Sequence, residues 1–210
     1  INAYGPSSVS QGLAGNGDYL FSGLNVGDYN MYAYSYFDNY STYLQLPDSS
    51  FSPNRYPTVA GGTTTNVDIT ANAAFIQGKI TLTGTKTLSQ ASYASLYSYG
   101  LYQTNAQGGS ASTPANLQTG AYKLVVTDGD WVVPYQLSFQ FYNSDPSAYL
   151  NSSIYLYDYQ SQISPISVAA GDTATRNLTY GTGTVTVNYS VVGGGTLSNP
   201  YLTRYCTMYD

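Results

Sequence analysis

Apolar and polar side chains alternate along several stretches of the chain, and each such stretch predicts a half-buried β-strand. "GKITLTGT" (78–85) places Ile80 and Leu82 on one face, with Thr81 and Thr83 on the other. "GTVTVNYSVVGGG" (183–195) repeats the pattern: Val185, Val187, Tyr189 and Val191 share one face, and Thr184, Thr186, Asn188 and Ser190 the other. "YAYSYFDNYSTY" (32–43) and "YASLYSYGLY" (93–102) alternate tyrosine with small residues in the same way. The segment "INAYGPSSVSQG" at the start alternates poorly and contains glycine and proline, so the first 22 residues are expected to be irregular ahead of a strand at Tyr19–Phe21.

Two landmarks recur in fixed order, as duplicated units do. "VAGGTTTNVDIT" (59–70) matches "VAAGDTATRNLT" (168–179) at a spacing of 109, each after a proline-bearing segment and before a glycine-led strand. "GLNVGDYNMYAY" (23–34) matches "NLQTGAYKLVVT" (116–127) through L-x-x-G-x-Y, at a spacing of 93. The difference, 109 − 93 = 16, is an insertion placed within 136–160. One unit therefore reads as an opening strand, an L-x-x-G-x-Y strand, further strands, a proline turn and a closing V-A-x-G segment. Three segments follow: 1–77, a β-sandwich domain without its opening strand; 78–182, a complete β-sandwich domain; and 183–210, an opening strand and tail.

Composition agrees with an all-β chain. There are 25 tyrosines, and the 11 acids are all Asp, against six Lys or Arg and no histidine. Helix-favouring Glu, Lys, Arg and Met are scarce, whereas Tyr, Thr, Val and Ser abound. Charged residues make up 8% of the chain, far below the usual quarter or so. No basic cluster suits nucleic acid, and no apolar run approaches the roughly 20 residues of a membrane-spanning helix. A charge-poor, Tyr/Ser/Thr/Asn-rich chain is expected outside the cell, on its surface.

The first copy, "GDYLFSGLNVGDYNMYAYSY" (17–36), resembles carboxypeptidase-regulatory-like and related prealbumin-like β-sandwiches through Gly17, Tyr19, Phe21, Leu24, Gly27, Tyr29 and Ala33, with Met31 in the usual Val position. In the second copy Leu117, Gly120 and Tyr122 carry the likeness. The resemblance implies two tandem Ig-like or prealbumin-like sandwiches in which these residues are structural. The chain also resembles archaeal surface threads, whose charge-poor β pilins are linked by donated strands and carry sugars. That resemblance implies a homopolymer of identical subunits. Archaeal pilins donate an N-terminal strand, whereas here the better donor is C-terminal.

A sandwich lacking one strand exposes an apolar groove and two unpaired edges. The strand at 185–191 can fill that groove within its own chain, in the next molecule, or within a longer tandem array. Donation to the next molecule does not close and so builds a filament. Donation to the next molecule is the expectation, with Val185, Val187, Tyr189 and Val191 as the donor face; its rival is a closed two-domain monomer acting as a secreted sugar-binding or adhesin module, with tyrosines as stacking platforms.

No catalytic machinery is expected. Without histidine there are no His-based triads or His metal sites. Asp128 and Asp130 in "TDGDW" are the nearest acidic pair, but a turn at Gly129 accounts for them better than a metal loop does. Cys206 stands alone, without an activating base. Neither a metal nor a cofactor is expected. Asn39, Asn151, Asn177 and Asn188 begin N-x-S/T sequons and are the candidates for glycans.

Overall fold

The computed structural model describes residues 1–13, 17–37, 42–100, 108–141, 152–157 and 164–183. These residues fold almost wholly into β-structure, with no α-helix among them. Among the described residues no helix is long and apolar enough to cross a membrane.

The chain begins with a hairpin of β1 (Asn2–Tyr4) and β2 (Ser8–Ser10), then crosses to β3 (Gly27–Asp28) and β4 (Asn30–Tyr32). β5 (Tyr34–Phe37) and β6 (Thr42–Gln45) follow, then the short β7 (Phe51–Ser52), β8 (Thr58–Val59) and β9 (Asp68–Ile69). The longer strands are β10 (Ala73–Gly84), β11 (Tyr93–Gly100), β12 (Ser110–Pro114), β13 (Ala121–Thr127), β14 (Gly129–Phe141) and β15 (Ser152–Tyr157). β16 (Ile166–Val168), β17 (Thr173–Thr175) and β18 (Leu178–Thr182) close the described chain.

A seven-stranded sheet runs β15–β14–β11–β12–β6–β5, with β16 added to β14. A four-stranded sheet has β10 at its centre, antiparallel to β13 and parallel to β17 and β18. Smaller sheets join β2–β1–β4, β3–β8 and β7–β9. Alternation dictates the layers. In β10, Ala74, Ile76, Ile80 and Leu82 are buried while Gln77, Lys79 and Thr83 face out. In β11, Ala94, Leu96 and Ser98 point inward, and Tyr93 and Tyr97 outward. Trp131, Leu137 and Phe139 of β14 fill the interior with Leu124 and Val126 of β13, and the Trp131 indole N–H donates to the Thr127 carbonyl at 2.8 Å.

The core is one contiguous cluster that includes Ala3, Tyr29 and Met31 as well as Ile76, Leu124 and Phe139. β5 and β6, from the first repeat unit, extend the sheet of the second through the pairing of β6 with β12. The position 77/78, where the repeats place a boundary, lies inside β10, which runs unbroken from Ala73 to Gly84.

Two expectations are corrected. The first 22 residues are not irregular throughout, because β1 and β2 form a short hairpin within them, although 11–13 and 17–22 carry no strand. Tyr19–Phe21 is not a strand. Tyr19 and Phe21 pack their rings together, with centroids 5.6 Å apart, and rest partly buried against the core. The Tyr19 hydroxyl donates to the Val67 carbonyl, so these aromatics serve as loop anchors rather than ladder residues.

Candidate functional site

In the second unit β10 has a ladder partner along its whole length, first β13 and then β18. Residues 73–79 of β10 pair with β13, and residues 80–84 pair with β18. Ile80 and Leu82 are buried beneath these neighbours. The Ile80 N–H donates to the Gly120 carbonyl at 2.9 Å, and the Lys79 N–H donates to Asn177 Oδ1 at 3.0 Å. A β-carbon at Gly78 would collide with the Arg176 carbonyl and crowd the Tyr122 ring, so only glycine fits there. The Tyr122 hydroxyl donates to that same carbonyl at 2.7 Å, and burial pushes its phenol pKa above the ordinary value.

The first unit holds a shortened counterpart of this strand. β1 pairs Asn2, Ala3 and Tyr4 with Tyr32, Met31 and Asn30. β10 pairs Phe75, Ile76 and Gln77 with Val125, Leu124 and Lys123. Once Tyr29 is aligned with Tyr122, the two registers coincide. Ala3 is buried as Ile76 is, and Tyr4 is exposed as Gln77 is. Gly5 then matches Gly78: a β-carbon on it would meet the Asp28 carbonyl and the Tyr29 ring.

Beyond Gly5 the two units diverge. Pro6 packs against Gly27, and the Gly5 N–H donates to the Ser7 carbonyl at 3.0 Å, which turns the chain back into β2. Ser7 Oγ lies 2.6 Å from the Tyr29 hydroxyl, which also donates to the Asn25 carbonyl at 3.0 Å. Nothing in β1 therefore corresponds to Ile80 and Leu82. Val67 is the counterpart of Arg176 at the 109-residue spacing, and its carbonyl is capped by Tyr19 instead of by the motif tyrosine. Ile69, the counterpart of Leu178, pairs with Phe51 of β7. The segment between β2 and β3 leaves Leu13, Leu20 and Val26 exposed at 57%, 70% and 62%.

The V-A-x-G segments also differ in partner. β8 pairs with β3, whereas β16 pairs with β14. Gly62 and Gly171 nonetheless make the same left-handed turn, with φ of 74° and 78°.

Val185, Val187, Tyr189 and Val191 lie outside the described residues, as do Asn39, Asn151, Asn188 and Cys206. Asn177 is described and exposed, in the short connection between β17 and β18. Asp128 and Asp130 flank the tight connection at Gly129 (φ 122°) between β13 and β14, and Asp130 accepts the Ser167 hydroxyl. Among the described residues, no three His, Cys, Asp or Glu side chains come together as a metal site would require.

Sequence reasoning missed one buried charge. Arg55, in the proline-bearing "SPNRYPT", is 3% exposed; its guanidinium donates to Asp48 at 2.5 Å and lies 4.6 Å from the Tyr32 ring centroid. Its carbonyl accepts the Met31 N–H at 2.9 Å, so it ties the turn to β4. No sequence signal pointed to it, because arginine is so seldom fully buried.

Described tyrosines from both clusters meet on one sheet. β5 and β6 carry Tyr34, Tyr36 and Tyr43, and β11 carries Tyr93, Tyr97 and Tyr99; all six strands of the main path share that sheet. Comparison of the chain with protein-family models, with curated proteins and with solved structures finds no match.

Proposed function

We propose that the protein is a structural subunit of an extracellular, cell-surface filament of the archaeal thread type, polymerising head to tail by strand donation. In this reading the segment 185–191 of one subunit lies in the first unit of the next. The observation that supports it most is the contrast at the opening-strand position. In the second unit β10 continues past Gly78 and buries Ile80 and Leu82; in the first, the equivalent strand turns away after Gly5. The tail repeats the continuing part, with Val185 and Val187 standing where β10 has Ile80 and Leu82.

The donor face is apolar, and its burial is the main force available to hold it. The polar face, with Asn188, would then look outward, where a sugar is tolerated; exposed Asn177 is a second candidate for glycosylation. No step of this function is catalytic.

The test is a disulfide trap in a Cys206→Ser background. Ile80 lies opposite Leu178 in the parallel ladder, so Val185 is expected opposite Ile69. Val185→Cys combined with Ile69→Cys should oxidise to a ladder of linked oligomers on a non-reducing gel. A cross-link confined to single chains would instead place the tail in its own molecule.

A further inference from the structure

The outward face of the seven-stranded sheet carries a continuous cross-strand row. Tyr36 lies opposite Tyr43, Tyr43 opposite Ser112, Ser112 opposite Tyr97, Tyr97 opposite Gln136, and Gln136 opposite Tyr157. Directly opposed residues share a face, so these six side chains form one line across β5, β6, β12, β11, β14 and β15. Adjacent strands are about 4.8 Å apart, so Tyr43, Tyr97 and Tyr157, on every second strand, recur at intervals of about 10 Å. A hydroxyl and an amide, Ser112 and Gln136, fill the gaps.

Three of the four rings are exposed, Tyr43 is half-buried, and all four are braced by ring contacts. Tyr36, Tyr97 and Tyr157 are 53%, 38% and 42% exposed. Tyr135 stands edge-on between Tyr97 and Tyr157, at 6.1 and 5.8 Å, and Tyr36 tilts against Tyr43 at 5.5 Å. The Tyr43 hydroxyl donates to Gln45 at 3.2 Å. Burial, reinforced by Tyr34, Tyr36 and Tyr97, pushes its phenol to about 12, so it stays uncharged.

These strands carry almost no charge. β5, β6, β11, β12 and β15 contain no Asp, Lys or Arg, and β14 has only Asp130 near its start. Within these strands a polyanion would meet no cation, and a polycation only Asp130. What matches the face is neutral, rich in hydroxyls, and periodic at about 10 Å. An extended β-linked polysaccharide has these properties: alternate sugar rings present the same face, one disaccharide apart.

We propose that this row is a binding track for a neutral, extended β-linked polysaccharide. Alternate sugar rings stack on Tyr43, Tyr97 and Tyr157, and their hydroxyls bond to Ser112 and Gln136. The aromatic body gives apolar contact and the wet phenol edge tolerates the surrounding hydroxyls. The track lies within one chain and does not depend on filament assembly.

The test is depletion of the full chain from solution by microcrystalline cellulose and by β-chitin, with cross-linked α-dextran and dextran sulfate as contrasts. Saturable retention is expected on at least one of the two β-linked solids, little changed by salt and absent on dextran sulfate. Tyr97→Ala with Tyr157→Ala should weaken it by roughly tenfold or more. Tyr97→Phe with Tyr157→Phe, which keeps the rings, should hold it within about threefold. Tyr56→Ala, exposed but off the row, should change nothing. Tyr157→Ala alone, on an edge strand, gives a second reading should the double variant not fold. Retention on neither solid, or equal retention by the ring-less variants, overturns the proposal. So does a face whose loss alters only self-association in sedimentation.

Discussion

Ala3 sits opposite Met31 in the register that Ile76 takes opposite Leu124. The two repeat units therefore place a strand against the same side of their motif strand, though one is three residues long and the other twelve. The equivalence extends to the glycine that follows, because Gly5 and Gly78 each approach a backbone carbonyl and a tyrosine ring too closely for a β-carbon.

That shared crowding has a direct consequence. Gly78→Ala is expected to destabilise the fold by about 1–3 kcal/mol, since the added carbon must displace backbone of β18's approach rather than a flexible side chain. Gly5→Ala should have a smaller effect on thermal melting, because the hairpin it disturbs carries little buried area. Parallel thermal melts check the order.

The buried Arg55–Asp48 pair sets up a second expectation. Asp48→Ala leaves a guanidinium at 3% exposure without its carboxylate, and breaking one side of a buried pair costs about 3–5 kcal/mol. Asp48→Leu with Arg55→Met, which removes both charges, should recover most of that loss. Chemical denaturation of the three proteins measures it.

Alkaline pH should expose the tyrosines. Burial raises the phenol pKa of Tyr122, Tyr19 and Tyr34, and that of Tyr43 to about 12. Each prefers to stay protonated in the folded state, so its contribution is complete below pH 10, the unfolded value. It is lost as pH rises through the folded pKa, as the unfolded chain ionises first. The melting temperature should hold through neutral pH and fall from about pH 10 upward. Tyr122→Phe should flatten part of that fall while losing roughly 1 kcal/mol with its hydrogen bond to Arg176.

Much of this architecture is written in local alternation, and the parts that are not have physical reasons. The strand at 78–84 is plain from Ile80 and Leu82, but its continuation back to Ala73 is not, because Ala74, Phe75 and Ile76 form a short apolar run without clean alternation. β1 escaped sequence reading because a single buried Ala3 between Asn2 and Tyr4 has no pattern; its strand exists through pairing with β4. Tyr19 and Phe21 alternate as strand residues do, yet the Tyr19 hydroxyl is used to cap a carbonyl from the closing segment, a contact 48 residues away. That Tyr34, Tyr36 and Tyr43 share one sheet with Tyr93, Tyr97 and Tyr99 depends on β6 meeting β12, a long-range pairing that no local pattern encodes. The L-x-x-G-x-Y repeat, by contrast, located Tyr29 and Tyr122, both buried.

Assembly itself offers a prediction that separates folding from polymerisation. Val187→Asp puts a charge on the proposed donor face, where burying it without a partner is strongly unfavourable. It should abolish oligomers while leaving the melting of the isolated subunit within about 0.5 kcal/mol of the parent, as for a surface change. Sedimentation and thermal melting of the same sample check both halves.

The most direct measurement is the length distribution of assemblies formed by the full chain and by a chain ending at residue 182, followed by electron microscopy and sedimentation. If one subunit's tail completes the next, the shortened chain remains monomeric, and a peptide of 183–195 binds it stoichiometrically and caps it. Filaments of normal length from the shortened chain would contradict the account.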